Sequence, residues 1–210
     1  ERHGYDPTSL LDTGKLDSIS ATSFSLTRET AERFNRDIES YKGRILLRTQ
    51  EMSNHPEIVR RLGVIAINGM VEADIYGHVN STEVNGSTMI NGIGGSGDFA
   101  RNAFLNFFVS PSTAKGGALS AIVPMVPHVD HTEHDVQVIV TEQGIADLRG
   151  TAPNERARRI IDNCAHPDFR DRLHDYHDRA YAANPTARHA PHLLDEALSW
   201  HRNAAAEGRM

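Results

Sequence analysis

The chain has 210 residues, of which 39% are hydrophobic and 24% charged, so it can bury a core and has the balance of an ordinary globular protein. A formal net charge of -6 argues against a nucleic-acid scaffold, which needs a basic face. One cysteine, Cys164, excludes an intramolecular disulfide and fits a reducing compartment, and no stretch approaches the roughly 18 apolar residues of a membrane span. The N-terminus is neither a signal nor a transit peptide; it begins without an initiator Met, as a fragment, a processed product or a trimmed chain would.

Leu16 to Phe24 reads as a strand with polar edges. Thr27 to Tyr41 reads as an amphipathic helix capped by Thr27, with Ala31, Phe34 and Ile38 recurring on one face. Arg44 to Arg48 is a short strand. A helix follows, with Asn54 as its N-cap, Pro56 in its first turn and Gly63 just past its end. Val64 to Asn68 is a buried-type strand, and Glu72 to Tyr76 and Val79 to Val84 are two more, punctuated by Gly77 and Asn85-Gly86. A glycine loop then opens a helix over Asp98 to Phe107. Ala118 to Met125 and Val136 to Thr141 are apolar and β-branched, as buried strands should be. Helices over Pro153 to Asn163, Pro167 to Ala183 and His192 to His201 close the chain, whose last residues look frayed. The whole is one α/β domain with a helical C-terminal extension; Cys164, at the end of a helical pattern, reads as a small core residue.

Chemistry gathers in four places. The loop from Asn91 to Phe99 holds four glycines in six positions, Gly92, Gly94, Gly95 and Gly97, before a helix. Glycines let the backbone approach a ligand, and the N–H groups at a helix start favour an anion or oxyanion. The spacing fits neither a dinucleotide fingerprint nor a P-loop. Lys115, beside two glycines, can reach a phosphate or carboxylate, although on local grounds a solvated turn lysine is the stronger reading. Glu142 ends an apolar strand, where α/β enzymes place working groups, and equally suits a helix-start carboxylate. The segment HVDHTEHD, with His128, Asp130, His131, Glu133, His134 and Asp135, crowds metal-type ligands together but lacks a zincin spacing; a polar loop between strands is the preferred account.

The segments NHPEIVRRLGVIAINGMVEADIYGHVNSTEVNG, NGIGGSGDFARNAFL, STAKGGALSAIVPMVPHVDHTEHDVQVIVTEQGIADLRG and ERARRIIDNCAHPDFRDRL resemble the C-terminal domain of the acetyl-CoA hydrolase/transferase family of class I CoA-transferases. The resemblance covers roughly Leu10 to Ala182. It implies an open mixed sheet flanked by helices, of the NagB/RpiA-like CoA-transferase kind, over residues 1–182, with a helical tail over 183–210. It also implies CoA transfer between small carboxylic acids, of the acetyl-CoA and succinyl-CoA class, through a glutamyl-CoA thioester, with water as acceptor giving hydrolysis. CoA is then a co-substrate and no cofactor stays bound. Carried over by motif, Asn91, Gly95 and Lys115 contact CoA, with Gly95 a backbone donor, while Asn54 and Glu142 line the active site. The nucleophile falls at Glu1, although ERHGYDPTS departs from the family's context there. The family's N-terminal domain has no counterpart, so the expected site is incomplete in this chain. A homo-oligomer or a missing N-terminal half would complete it. The expected partners are acyl-CoA and small carboxylates, without nucleic acid or membrane, in the cytoplasm. Two other readings stand beside this one: a CoA-binding module without turnover, and a metal-dependent hydrolase using His128, Asp130, His131 and His134.

Overall fold

The computed structural model describes residues 8–23, 25–186 and 189–210. They fall into two compact units divided between Val59 and Arg60.

The first unit contains α1 (Thr8–Asp12), β1 (Ile19–Ala21), α2 (Arg28–Arg36), a 3₁₀ turn (Ile38–Tyr41), β2 (Ile45–Leu47) and α3 (Gln50–Ser53), and α4 (Pro56–Leu62) crosses the boundary. β1 and β2 pair in parallel, Ile19 opposite Ile45 and Ala21 opposite Leu47. Thr27 caps α2 as expected, accepting from the Thr30 N–H at 3.2 Å. The helix nevertheless ends at Arg36 rather than Tyr41. In an unbroken helix residues 34 and 41 would stand about 10 Å apart along the axis. Here the tighter turn brings the Tyr41 ring onto Phe34 at 5.4 Å and its hydroxyl to Asp12 at 3.0 Å. Asn54 is not an N-cap: it closes α3, its N–H bonded to the Gln50 carbonyl. Pro56 takes the first helical position of α4, which moves the capping role to His55, whose Nδ1 accepts from the Glu57 N–H at 3.3 Å.

The second unit contains β3 (Ile65–Gly69), β4 (Glu72–Asp74), β5 (Val79–Asn80), β6 (Glu83–Val84), β7 (Thr88–Met89), α5 (Ser96–Asn102), β8 (Leu105–Val109), β9 (Thr113–Ala114), β10 (Leu119–Ser120), β11 (Ile122–Val123), β12 (Val138–Thr141), β13 (Gly144–Asp147), α6 (Pro153–Cys164), α7 (Pro167–Ala183) and α8 (Ser199–Glu207). Its main sheet has the order β13-β12-β8-β3. The inner three strands run parallel, and β13 returns antiparallel to β12. A smaller mixed sheet, β11-β4-β5, lies in the same unit. This is the expected α/β architecture, an open mixed sheet with helices.

Several elements differ from expectation. Val79 to Val84 divides into β5 and β6, which join different sheets, and β3 has one exposed face where a buried strand was expected. The glycine-loop helix stops at Asn102, and Phe107 belongs to β8, where Asn106 and Phe108 are buried and Leu105 and Phe107 alternate with them. That two-residue period is a strand's. The run Ala118 to Met125 breaks into β10 and β11, because Ala121 between them donates to Ser112 and the two pieces join different sheets. The last helix is Ser199–Glu207, not His192 to His201. The preceding chain is pinned first: Tyr76 donates to the Pro191 carbonyl, and Tyr176 bonds the Leu193 N–H and the His192 ring.

One face of the main sheet forms the core with the C-terminal helices, through Phe108, Ile139, Ala146, Ile160, Ile161, Cys164, Leu173 and Trp200. The opposite face carries Ile65, Ile67 and Ile145, exposed to 62%, 69% and 61%. A tight contact fixes β13 against α6: a Cβ on Gly144 would lie 2.8 Å from the Asn163 carbonyl oxygen. Gly144→Ala is therefore expected to destabilise this unit by about 2 kcal/mol, since backbone rather than a flexible side chain must yield. Urea unfolding followed by the fluorescence of Trp200, the single tryptophan, measures it. Among the described residues no helix is long and apolar enough to cross a membrane.

Candidate functional site

Glu142 follows β12 directly, at the carboxyl end of the parallel strands. Its carboxylate is gripped as a fork. Oε2 accepts from the Ser112 N–H at 2.7 Å, and Oε1 accepts from the Ser112 hydroxyl and from Gln143 Nε2, the latter at 3.0 Å. Ser112 is fully buried, so the grip is rigid on its side. These donors, the Ser112 hydroxyl first and Gln143 next, pull the Glu142 pKa down to about 2. Such a group is a fixed anion and a poor proton acceptor at neutral pH, suited to orienting a donor or stabilising positive charge. The sequence offered no sign that Ser112 would be its partner.

Ser112 also ties Glu142 to Lys115, three residues further on. Lys115, Gly116 and Gly117 have φ of 49°, 66° and 95°, a run of left-handed backbone that glycine adopts freely and lysine does not. Among the described residues no carboxylate pairs with the Lys115 ammonium. The turn borders a cavity of about 250 Å³ whose walls include Ser110, Pro111, Asn85 and Leu119, with Glu72 and His201 among the lining residues. A cation at the rim of a mainly apolar cavity can hold an anionic group while the apolar part of the same molecule lies inside.

The glycine loop lies in the same unit and contributes no residue to the lining of this cavity. Gly94 has φ of 59°, whereas Gly95 has an ordinary φ of -90° and serves as the N-cap of α5. The Asn91 Nδ2 is spent on the Ser81 carbonyl at 2.8 Å and the Gly92 carbonyl at 3.3 Å, and its side-chain oxygen remains an acceptor. The structure thus brings Asn91 and Gly95 onto one loop and Lys115 and the Ser112 support of Glu142 onto one segment. Asn54 lies in the first unit, described above, and Glu1 lies outside the described residues.

The HVDHTEHD segment does not converge. His128 faces Glu83 and Asp130, His131 meets Ser96, Glu133 meets His78 and His134, and Asp135 pairs with Arg101. Among the described residues no three His, Cys, Asp or Glu side chains gather as metal ligands would. The metal-hydrolase reading is therefore not favoured: the side chains of this segment form separate pairs, His128 with Asp130 and Glu133 with His134 among them, that do not gather at one point. His78, between Asp74 at 3.0 Å and Glu133 at 2.8 Å, has its pKa raised, chiefly by the Asp74 hydrogen bond. Cys164 is buried, its thiol against the Ile139 carbonyl, and burial pushes its pKa up to about 11, as suits an inert core residue.

Residues 31–177 match the family model of the acetyl-CoA hydrolase/transferase C-terminal domain. The chain is 56% identical over 201 residues to a succinyl-CoA:acetate CoA-transferase of Clostridium kluyveri, covering 96% of this chain and 37% of that protein. It is 53% identical over 207 residues to an acetyl-CoA hydrolase of Candida glabrata, covering 96% and 39%. A solved 4-hydroxybutyrate CoA-transferase from Porphyromonas gingivalis superposes with a TM-score of 0.62 at 24% identity, over 82% of this chain and 42% of that one, which speaks to the fold. The chain therefore spans about two fifths of the length of the curated relatives it matches.

Proposed function

The chain belongs to the acetyl-CoA hydrolase/transferase family, as its C-terminal domain, and from that premise we propose that it forms one wall of a site that moves CoA between small carboxylic acids. The observation that carries this reading is the Glu142–Ser112 fork on the segment that also bears Lys115. Lys115 takes a CoA phosphate as a mobile point charge. The Gly95 N–H and the Asn91 oxygen contact CoA from the glycine loop. Asn54 and Glu142 orient the acyl group and the attacking carboxylate, which we assign to Glu1. Attack on the thioester gives an acyl-glutamyl anhydride and CoA thiolate; the thiolate then attacks the glutamyl carbonyl, breaking the anhydride C–O bond to give glutamyl-CoA and the donor's free carboxylate. A carboxylate acceptor completes transfer and water completes hydrolysis. CoA is a co-substrate here, not a resident group.

The uncovered sheet face supports a larger assembly. Parallel strands are ordinarily covered on both faces. Burying Ile65, Ile67 and Ile145 would contribute about 2 kcal/mol each. We assign that face to the remainder of a longer protein or to a second copy. A single, buried, unpaired cysteine suits the cytoplasm.

The test is to incubate the full-length protein with acetyl-CoA and trap with borohydride or hydroxylamine. A modified glutamate at Glu1, together with CoA binding by calorimetry, is the expected result. CoA binding that is absent in wild type, or unchanged in both Lys115→Ala and Gly95→Ala, would defeat the assignment.

A further inference from the structure

The glycine loop is suspended at both ends from one piece of backbone. Val79 and His131 form an isolated antiparallel bridge, with the Val79 N–H donating to the His131 carbonyl at 2.8 Å and the His131 N–H to the Val79 carbonyl at 3.1 Å. Next to this bridge the Asp130 carboxylate accepts from the Ser81 N–H at 2.7 Å and the Thr82 hydroxyl at 2.9 Å. The start of the loop hangs from there: Asn91 Nδ2 donates to the Ser81 carbonyl, and the Ile90 N–H donates to the Thr82 carbonyl at 2.9 Å. The end of the loop hangs from the other side of the same bridge, where Ser96 Oγ lies 3.0 Å from His131 Nε2.

The proton in this last contact can be placed. Ser96 Oγ donates its only hydrogen to the Ile93 carbonyl at 2.9 Å. The bond to His131 is then donated by the ring, Nε2–H to Oγ. The His131 ring is buried and packs on Phe108 at 4.8 Å, so it cannot swing away. Burial also lowers its pKa, which keeps the ring neutral at physiological pH.

We propose that His131 and Ser96 are a positioning pair that holds Gly92 to Gly95 in the shape that receives CoA, an inference that rests on the function proposed above. Four glycines give this loop more conformational freedom than any comparable stretch of the chain would have, and a ligand must otherwise supply its ordering. Pinning Asn91 and Ser96 to one rigid bridge removes that cost before binding. Neither His131 nor Ser96 needs to touch the ligand.

The experiment compares Ser96→Ala, His131→Phe and Ser96→Thr in the full-length protein, by amide hydrogen exchange and CoA calorimetry. Loss of the bond is expected to speed exchange in residues 91–97 about tenfold and to raise the CoA dissociation constant by a similar factor. Exchange in β12 should stay as in wild type, and Ser96→Thr, which keeps the hydroxyl, should restore both. The half-buried Ser96 tolerates truncation, so Ser96→Ala decides the matter even if His131→Phe fails to fold. Wild-type loop exchange in Ser96→Ala, or a loosened loop with unchanged CoA affinity, overturns the proposal. A wild-type protein that binds no CoA overturns the proposed function instead.

Discussion

Glu142→Gln is expected to lower acyl-CoA turnover in the full-length protein by about 10²–10³-fold, the range found when a preorganised polar group is removed from a reacting centre. The reason is local. The carboxylate offers acceptors to the Ser112 N–H, the Ser112 hydroxyl and Gln143. A glutamine amide keeps one acceptor and turns an NH₂ toward a donor, so the fork opens and the charge is lost together. Core contacts of β12 are untouched, and the variant should fold. Steady-state kinetics should show the loss in kcat rather than in KM for acyl-CoA; a variant with wild-type kcat would remove Glu142 from the site. The pH behaviour follows from the depressed pKa. Stabilisation of the ionised form is fully present above the ordinary glutamate value near 4.5 and is lost only as pH falls through about 2. Glu142 therefore stays charged across the neutral range, and any ionisation seen there in a pH–rate profile belongs to another group.

The largest stability effect is expected at His201. Its Nε2 lies 2.9 Å from Glu72 Oε2, and both side chains are buried. Asn80 Nδ2 takes the other Glu72 oxygen at 2.8 Å. His201→Ala takes one hydrogen-bond partner from the buried Glu72 side chain and leaves a void where the ring packed, and the two losses together cost about 3 kcal/mol. Urea unfolding monitored by Trp200 fluorescence measures it, because Trp200 stands beside His201 in the same helix and packs on Phe169 and Arg172. Adding Glu72→Gln to His201→Ala should cost less than the two single changes summed, since the two side chains share one hydrogen bond that can be lost only once. Strict additivity would show that the pair is not coupled.

The two expected effects differ in how far the sequence pointed to them. Glu142 stands out as a candidate, because an apolar strand ending in a carboxylate is a local pattern. The Glu72–His201 pair does not, because it joins β4 to a helix near the chain's end and neither neighbourhood announces the other. The same division runs through the fold. Pro153 to Asn163 and Pro167 to Ala183 were legible because proline at the start and a helical period are short-range signals. The stop of α2 at Arg36 was not, since it follows from Tyr41 reaching Phe34 and Asp12. Nor was the break of Ala118 to Met125 into two sheets, where Ala121 donates to Ser112 on one side and accepts from the distant Ala73 N–H on the other.

By itself the sequence determined the α/β class and the family, and it marked the glycine loop, Lys115 and Glu142 as candidates, because each is written in neighbouring residues. Only the tertiary structure decided which partners those residues have. It gave Glu142 to Ser112, kept the described side chains of the histidine segment from gathering at one point, and hung the glycine loop from the His131 bridge. Such bonds join residues far apart in the chain, and their geometry exists only once the core has packed.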